Sequence, residues 1–373
     1  MERRIVIIDG NSLINRAFYA VQRPMITKEG IYTQGVYGFL NMLQKIENDY
    51  KPEYLTVAFD LKAPTFRHIE YKEYKAGRKA MPPELVMPIV KDVLRAMNIE
   101  ILELEGYEAD DIIGTVAKKA EEANINALVI TGDKDALQLV SDKTEVLITK
   151  KGITDFELYD TDKIRERYNL TPQQFIDLKG LMGDSSDNIP GIPGVGEKTG
   201  IKLLEQFGSI ENMLAHTDEI SAQKLRTKVE ENAQLAILSR RLATINTAVP
   251  MDIDIEMFKM KEPDYGKLIE LYTKLEFNSF LKKLKITPEQ SVPAFKERTV
   301  KKVIIDSKEN LELLSQLQGK DRVYIKVFGN ISHIETPFIE SVFLMDNDNA
   351  FLVDAVAAGC NALADKLNSL QLN

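Results

Sequence analysis

The sequence predicts an α/β protein in which a mainly parallel β-sheet is flanked by helices, followed by a helical subdomain and a partial second α/β unit. Short β-branched runs alternate with helical patterns up to about residue 160, an order typical of a parallel sheet. The pattern is then almost wholly helical to about residue 285, and strand-like runs return after residue 300. The 373 residues suffice for two or three domains, each with its own core.

The first region contains predicted strands separated by helical patterns. The strand-like runs are residues 3–9, 54–60, 99–105, 125–133 and 144–151. Residues 35–49 and 109–123 have the apolar spacing of amphipathic helices. Because ligands of a parallel sheet bind at the carboxyl ends of its strands, we expect the functional site at that edge.

These patterns divide the chain into four parts. We predict an α/β core at 1–160 with a basic segment at 61–82, a helical subdomain at 161–285, a linker at 286–299 and a partial α/β domain at 300–373. The linker prediction depends on Pro288 and Pro293, which lie in a stretch of mixed polarity without a period. In the last part, KKVIID, DRVYIKVF and SVFLMDNDNAFLVD predict strands and KENLELLSQLQ predicts a helix.

The composition argues against several classes of protein. The single cysteine, Cys360, excludes an internal disulfide and a cysteine-based zinc site, and three histidines argue against a histidine-rich metal site. Any metal ion would therefore be held by oxygen atoms. The chain has no run of about 18 apolar residues and no signal-peptide core, so we expect a cytoplasmic protein with no membrane partner. The net charge of −9 argues against a uniformly basic surface but is compatible with a local basic stripe.

Acidic residues recur where the predicted strands end and at the start of segments that follow them. They are Asp9, Asp60, Asp133 and Asp135 at or after strand ends, Glu108, Asp110 and Asp111 at the start of a helix, and Asp184 and Asp187 in the loop GDSSDN. Any one of them could be an N-cap or a turn residue. Together, so many neighbouring carboxylates would repel one another unless cations lay between them. The sequence therefore predicts a site for Mg²⁺ or Mn²⁺, which prefer oxygen ligands.

A carboxylate site of this kind favours the hydrolysis of phosphodiesters. Two divalent ions about 4 Å apart can stabilise both the attacking and the leaving oxygen of a displacement at phosphorus. A P-loop nucleotidase is disfavoured because no GxxxxGK[ST] motif occurs, and GVGEKTG has a shorter spacing.

The segment between Asp60 and Pro82 mixes basic and aromatic residues. The basic residues are Lys62, Arg67, Lys72, Lys75, Arg78 and Lys79, and the aromatic residues are Phe66, Tyr71 and Tyr74. Basic groups neutralise phosphates and aromatic faces stack on unpaired bases, so the segment suits a frayed or single-stranded nucleic-acid end. A solvated helix face is the alternative.

The segment GIPGVGEKTGIKLL predicts a turn that opens a helix. It contains Gly191, Gly194 and Gly196, with Lys198 and Lys202 in the predicted helix. Such a turn exposes backbone N–H groups that can bind a phosphate without reading base sequence. The two lysines favour contact with a duplex backbone, and a plain corner between helices is the alternative.

Over residues 1 to about 285 the chain resembles the 5′-nuclease region of bacterial DNA polymerase I, a branch of the flap endonuclease family. The motifs that carry the resemblance are IIDGNSLINRAFYA, VAFD, TFRHIEYKEYKAGR, GYEADDIIGT, ITGDKDALQLV and GLMGDSSDNIPGIPGVGEKTG, and none is broken at an acidic position. The resemblance implies a PIN/resolvase-like 5′-nuclease fold with 5′-3′ exonuclease and flap endonuclease activity. The implied substrates are DNA with a 5′ flap, a nick or an RNA primer, and the products carry a 5′-phosphate and a 3′-hydroxyl.

The same resemblance implies roles for individual residues. In the family, the positions of all nine acids surround two or more divalent ions, Mg²⁺ or Mn²⁺. The basic segment corresponds to a helical arch over the active site, with Tyr74, Lys75 and Arg78 contacting the frayed nucleotide and the scissile phosphate and Arg67 as a further DNA-binding candidate. The glycine segment corresponds to a helix-hairpin-helix element that grips the duplex and can hold K⁺; its matching positions are Gly191, Gly194, Gly196, Lys198 and Lys202.

Residues 300–373 resemble the start of a 3′-5′ proofreading exonuclease domain. The first catalytic motif of that domain is a pair of acids on its first core strand, but RVYIKVFGN contains no carboxylate. We therefore expect an inactive 3′-5′ exonuclease-like domain. Because polymerase motifs are absent from the chain, we also expect a fragment or truncation of a protein with a covalently linked polymerase domain.

Two other functions remain open on the sequence alone. One is a catalytically silent module that binds branched DNA without cutting it, although binding alone gives no reason to keep repelling carboxylates together. The other is a small phosphatase on a doubly wound sheet, which would leave the basic and glycine-rich segments without a role.

Overall fold

The computed structural model describes residues 3–21, 24–77, 87–150, 152, 155–284, 301–320, 323–330, 338–346 and 349–370. The chain forms two compact units, Met1–Ile286 and Thr287–Asn373. Each unit has its own sheet and its own hydrophobic core. Within the described ranges, no helix is both long enough and apolar enough to cross a bilayer.

The strands of the first unit form one mixed sheet. They are β1 (Arg4–Asp9), β2 (Tyr54–Ala58), β3 (Glu100–Leu102), β4 (Asn126–Thr131), β5 (Thr144–Thr149) and β6 (Phe156–Tyr159). The order is β3-β2-β1-β4-β5-β6, with parallel pairing from β3 to β5 and antiparallel pairing between β5 and β6. The predicted strands are confirmed, each with trimmed ends. The sequence prediction missed β6, because a four-residue strand at a sheet edge, with one buried residue, gives only a weak pattern.

Helices cover both faces of this sheet in the α/β part of the unit. They are α1 (Gly10–Ala20), α2 (Gln34–Tyr50), α3 (Phe66–Glu70), α4 (Met87–Ala96) and α5 (Ala109–Glu122). β1 lies in the middle of the sheet and its side chains alternate between two cores. Ile5 and Ile7 belong to the core that contains α5, whereas Val6 and Ile8 belong to the core that contains α1 and α2.

The rest of the first unit is helical, as predicted. Its α-helices are α6 (Thr161–Tyr168), α7 (Pro172–Met182), α8 (Glu197–Phe207), α9 (Ile210–Ala215), α10 (Gln223–Glu231), α11 (Ala233–Ala243), α12 (Tyr265–Lys274) and α13 (Asn278–Lys283). Leu178 of α7 and Leu204 of α8 share a core with Ile112 of α5. The predicted boundary at residue 160 therefore marks a change of secondary structure inside one continuously packed unit.

The second unit has a smaller sheet with helical segments. Its elements are β7 (Lys301–Ile305), β8 (Tyr324–Asn330), β9 (Phe338–Met345), β10 (Asn349–Asp354), α14 (Ala355–Ala358) and α15 (Cys360–Ser369). The strand order is β7-β10-β9-β8, and the predicted strands are confirmed. The segment predicted as a helix is helical, and it forms a 3₁₀ helix at Glu309–Leu317. Its buried Leu311, Leu314 and Leu317 recur every three residues, which matches the three residues per turn of a 3₁₀ helix.

Gly10 lets α1 start directly against the strand edge. A Cβ added to Gly10 would lie 2.2 Å from a ring carbon of Phe59, which is buried directly before Asp60. The lack of a side chain at Gly10 therefore lets the end of β1 and the end of β2 approach each other closely.

We predict that Gly10→Ala lowers the free energy of unfolding by about 1–3 kcal/mol, because the methyl group overpacks against the Phe59 ring. Urea unfolding would measure this change. Gly266→Ala is the matched control, since Gly266 also lies in the first turn of a helix and an added Cβ meets its nearest neighbour at 3.4 Å. Equal stabilities of the two variants would contradict the steric explanation.

Candidate active site

Four of the predicted acids line one cavity at the carboxyl edge of the sheet in the first unit. The cavity has a volume of about 700 Å³, and its lining includes Asp9, Asp60, Asp110 and Asp133. Asp9 ends β1, Asp60 and Asp133 follow β2 and β4, and Asp110 lies in the first turn of α5. Parallel strands bring these chain segments to the same edge.

Asp9 is held by hydrogen bonds from two different elements. The backbone N–H of Ser12 donates to Asp9 Oδ1 at 2.9 Å, and the Thr131 hydroxyl donates to Asp9 Oδ2 at 2.7 Å. Burial raises the pKa of Asp9 to about 7; the two hydrogen bonds oppose this shift, and the charges of Asp60 and Asp133 add to it.

Asp60 and Asp133 are oriented by backbone groups of neighbouring segments. The N–H of Ala109 donates to Asp60 Oδ1 at 2.7 Å, and the N–H of Asp60 donates to Asn11 Oδ1 at 3.1 Å. Asp133 Oδ1 accepts from the N–H of Asp135 at 2.9 Å. The bonds of Asp60 fix the loop after β2 relative to α1 and α5, whereas the bond of Asp133 lies within the loop after β4.

Asp110 has the most unfavourable electrostatic surroundings of the cavity acids. Its burial raises its pKa well above the ordinary value, and the charges of Asp9, Asp133, Asp60 and Glu108 raise it further. No group of three His, Cys, Asp or Glu side chains among the described residues has a geometry ready to hold a metal ion. The carboxylates would have to rotate towards an ion, and their oxygen-only chemistry fits a hard cation such as Mg²⁺ or Mn²⁺.

Asp135 and Asp184 form a second group of acids that is bridged by Lys179. The Lys179 Nζ lies 2.5 Å from Asp135 Oδ1 and 2.6 Å from Asp184 Oδ2. Burial raises the pKa of Asp135 to about 7, with a contribution from Asp133. Burial acts in the same direction on Asp184, but hydrogen bonds from Lys179 and Ser186 outweigh it and lower the pKa of Asp184 to about 2. The lysine therefore compensates Asp184 more fully than Asp135.

Glu108 and Asp187 form a third group, together with Tyr74 and Lys75. The Tyr74 hydroxyl donates to Glu108 Oε2 at 2.9 Å and lies 3.3 Å from Asp187 Oδ2. The Lys75 Nζ donates to Glu108 Oε1 at 2.7 Å and lies 3.7 Å from Asp187 Oδ2. Burial would raise the pKa of Glu108, but Lys75 and Arg67 keep it below the ordinary value. Lys75 also lines the cavity, so it joins this group to the four cavity acids.

Asp111 lies outside the cavity lining and pairs with the buried Arg67. The two guanidinium Nη atoms each lie 2.7 Å from a different Asp111 oxygen. Asp111 also accepts hydrogen bonds from the backbone N–H groups of Glu108 and Asn246. Because these bonds occupy both of its oxygens in a fully buried position, the assignment of Asp111 as a metal ligand is corrected to a structural role.

Arg67 requires the corresponding correction as a DNA-binding candidate. It is 2% exposed, and it also donates to the carbonyl oxygens of Leu242 and Thr244, both at 2.8 Å. Arg67 therefore ties α3 to α5 and to the end of α11 instead of facing a ligand.

Tyr74 is also less accessible than the sequence prediction required. Its side chain is 3% exposed, and its ring contacts His68 and the Lys75 ammonium group. In this structure its ring has no open face for a nucleotide, so the predicted contact with the frayed nucleotide is corrected to support of Glu108 and Lys75. The predicted arch at 61–82 contains α3 and turns up to residue 77, while Arg78 lies outside the described residues.

The glycine-rich segment has one buried and one exposed part. Gly191 is buried and its N–H donates to the Ser239 hydroxyl at 2.9 Å, so its predicted role in DNA binding is corrected to a structural one. Gly194 and Gly196 are exposed before α8, and Lys198 in its first turn and Lys202 in its second turn are exposed as well. The structure also places Lys228 beside Gly194, since a Cβ added there would lie 2.6 Å from Lys228 Nζ.

Lys179 belongs to the site but was not predicted from the sequence. Lys179 is 9% exposed and follows Leu178 in the largely apolar stretch FIDLKGLM of α7. A lone cation in a buried helical stretch a few residues before a predicted acidic loop was the available signal, because buried lysines need a partner.

Two family models match consecutive parts of the chain. The 5′-3′ exonuclease N-terminal resolvase-like domain matches residues 4–169, and the 5′-3′ exonuclease C-terminal SAM fold matches residues 170–266. DNA polymerase I of Bacillus subtilis (strain 168) is 47% identical over 312 residues, which are 82% of this chain and 35% of that protein. DNA polymerase I of Lactococcus lactis subsp. lactis is 37% identical over 339 residues, which are 89% of this chain and 38% of that protein. The chain spans about a third of the length of these curated relatives.

Solved structures share the fold of the first part of the chain at low sequence identity. The T5 D15 protein co-crystallised with metal ions has a TM-score of 0.55 and 21% identity, covering 74% of this chain and 99% of that one. The catalytic core of Rad2 in complex with DNA substrate has a TM-score of 0.51 and 18% identity, covering 74% of this chain and 88% of that one. The fold is thus that of the T5 5′-exonuclease and Rad2 nucleases, and the chain belongs to the 5′-3′ exonuclease family, with bacterial DNA polymerases I among its relatives.

Proposed function

We propose that the chain is a metal-dependent, structure-specific 5′-3′ exonuclease and flap endonuclease. It hydrolyses phosphodiester bonds at 5′ ends, nicks and flaps of DNA, including RNA primers. The observation that carries the proposal is the convergence of Asp9, Asp60, Asp110 and Asp133 on one cavity that Lys75 also lines. The family membership and the metal-bound and DNA-bound structures of similar fold support it.

In this proposal the acids are assigned to different divalent ions. Asp9, Asp60, Asp110 and Asp133 would hold one divalent ion, and Asp135, Asp184, Glu108 and Asp187 are candidate ligands for further ions. A bound divalent ion supplies a lowered pKa for an attacking water and stabilisation of the negative charge that develops at phosphorus. Mg²⁺ or Mn²⁺ suits these oxygen donors.

Lys75 orients the substrate in this proposal. Its ammonium group lies on the cavity wall and is fixed by Glu108, so it can donate a charge-assisted hydrogen bond to a phosphate oxygen without first being ordered. Tyr74 supports this arrangement from beneath by donating to the same carboxylate. Arg78 extends the predicted phosphate contacts, and it lies outside the described residues.

The downstream duplex binds at the turn before α8 in this proposal. Exposed Gly194 and Gly196 present backbone N–H groups, and Lys198, Lys202 and Lys228 add positive charge. These contacts neutralise phosphates without reading bases, which suits an enzyme that recognises structure. A K⁺ ion at this turn and a cytoplasmic location are part of the same proposal.

The second unit contributes no chemistry in this proposal. The strand β8 and the residues around it, RVYIKVFGN, carry no carboxylate, so 3′-5′ exonuclease activity is not expected from it. The relatives are more than twice as long as this chain, and a covalently linked polymerase domain is proposed for the full protein.

The adjacent residues Asp110 and Asp111 give the sharpest test of the site. We predict that Asp110→Asn lowers the single-turnover rate of 5′-flap cleavage in Mg²⁺ by at least about 10²-fold, since it removes a charge at the reacting centre. Flap binding measured in EDTA should change by no more than about threefold. The free energy of unfolding of Asp110→Asn should be unchanged or higher, because the variant loses a buried charge that the neighbouring acids repel.

Asp111→Asn should instead lower the free energy of unfolding by about 3–5 kcal/mol, because the buried Arg67 loses its bidentate carboxylate partner. Urea unfolding of both variants measures the contrast, with the exposed Asp142→Asn as a control for loss of one acid. Full cleavage by Asp110→Asn, or an unchanged stability of Asp111→Asn, would contradict these assignments.

Lys75→Ala is expected to lower the single-turnover rate by about 10²-fold or more, because one preorganised positive charge at the phosphate is removed. Lys75→Arg should recover part of the rate, and Lys72→Ala should leave it unchanged, since Lys72 is exposed on the same segment and does not line the cavity. A rate for Lys75→Ala equal to that of Lys72→Ala would show that Lys75 is not needed.

Stability without metal should fall as the pH rises from about 4 to about 7. Asp9 titrates at 3.8 when unfolded and at about 7 when folded, so the folded state binds the extra proton in this interval.

Divalent ions compete with that proton, because ligands must be deprotonated. Mg²⁺ should therefore raise the melting temperature more at pH 7.5 than at pH 5.5, measured by thermal unfolding with and without the ion. The Asp110→Asn variant should lose most of this increase, and an equal increase at both pH values would argue against a carboxylate site.

A further inference from the structure

We propose that Tyr19 is a substrate-binding residue whose ring stacks on a base within two nucleotides of the scissile phosphate. This inference rests on the proposed nuclease function and adds a contact that the acids and Lys75 do not provide. It assigns the α1 side of the cavity to an unpaired or frayed base.

The first support is the position of Tyr19 in the cavity. Its side chain is 68% exposed, yet it lines the same cavity as Asp9 and Asp110. Among the described residues of that lining, it is the one aromatic side chain. An exposed aromatic residue on an ordinary surface needs no explanation, but this one lies in a cavity lined mainly by polar and charged groups.

The second support is the rigidity of the helix that carries Tyr19. α1 is capped by Asp9, and its Leu13, Ile14 and Ala17 are buried in the core. The ring of Tyr19 meets the ring of Phe18 edge to face, with centroids 5.3 Å apart and an interplanar angle of 90°. A flat ring on a fixed helix is preorganised for stacking, since little side-chain entropy is lost on binding.

The third support is the spacing between Tyr19 and the acids. Tyr19 follows Asp9 by ten positions, so the helix rise of about 1.5 Å per residue places their backbones about 15 Å apart. Side chains of a helix lean towards its N-terminus, which brings the ring closer to Asp9. That distance suits a base near a phosphate held at the acids, and stacking is tolerant of base identity, as a structure-specific enzyme requires.

The test combines a protein variant with an abasic substrate. 5′-Flap substrates carry a single abasic nucleotide at each of the two positions on either side of the scissile phosphate. With the wild-type protein, one abasic position should lower kcat/KM by about 5- to 150-fold, the equivalent of about 1–3 kcal/mol for one stacked base. Tyr19→Ala should show a similar loss on intact DNA and no further loss on that abasic substrate.

Controls separate stacking from other roles. Tyr19→Phe should cleave intact DNA like the wild type, because the ring is kept and only the hydroxyl is lost. Tyr324→Ala removes a comparably exposed tyrosine from the second unit. It should change neither the cleavage rate nor the loss caused by an abasic position. Thermal unfolding of Tyr19→Ala should match the wild type, since the side chain is mostly exposed.

Equilibrium binding of wild type and Tyr19→Ala to the intact and abasic substrates is also measured in EDTA, because binding does not require hydrolysis. The proposal would be overturned if, in both binding and cleavage, Tyr19→Ala caused the same fold-loss on every abasic substrate as on intact DNA. A wild-type rate for Tyr19→Ala together with wild-type binding would overturn it as well. The two proposals can also fail separately. If Tyr19→Ala and one abasic position weaken binding without adding to each other, but the protein cuts no flap with Mg²⁺ or Mn²⁺, the role of Tyr19 is supported and the nuclease function is rejected.

Discussion

The mutual repulsion of carboxylates at the carboxyl edge of the sheet is the constraint on which the rest of the site depends. Asp110 shows it most directly, since burial and four neighbouring acids all disfavour its charged form. Such repulsion costs several kcal/mol unless protons or cations relieve it. Basic side chains of the protein relieve part of this repulsion, and each of them contacts a different subset of the acids.

Three protein cations divide the nine acids into unequal environments. Lys179 lies between Asp135 and Asp184, and Lys75 contacts Glu108, whereas Arg67 pairs with Asp111. In the cavity lining, Asp9 and Asp110 keep pKa values above the ordinary value. The least compensated charges are therefore next to the open space, where an added divalent cation would be most stabilising.

The architecture of the sheet and the location of the site could be read from the sequence because both depend on simple periodicities. β-branched runs locate the strands, and the parallel order sends Asp9, Asp60 and Asp133 to one edge. A helix was predicted over Glu309–Leu317, but its 3₁₀ type was not, because its short apolar pattern is compatible with either helix type. The burial of Tyr74 and Arg67 escaped it because composition does not show which way a basic, aromatic segment turns.

The contrast between Asp110 and Asp111 shows where sequence reasoning about such sites ends. Successive residues of an α-helix point about 100° apart, so the two adjacent aspartates differ in direction, and Asp110 lines the cavity whereas Asp111 does not. The sequence ADDII does not say which one does, because that depends on the rotation of α5. Arg67 settles the rotation: its bidentate pair with Asp111 fixes one face of the helix against α3, and the next face then carries Asp110 to the cavity. The buried ion pair thus acts on the site by setting the angle of the helix that bears the cavity acid Asp110, although the pair lies outside the cavity lining.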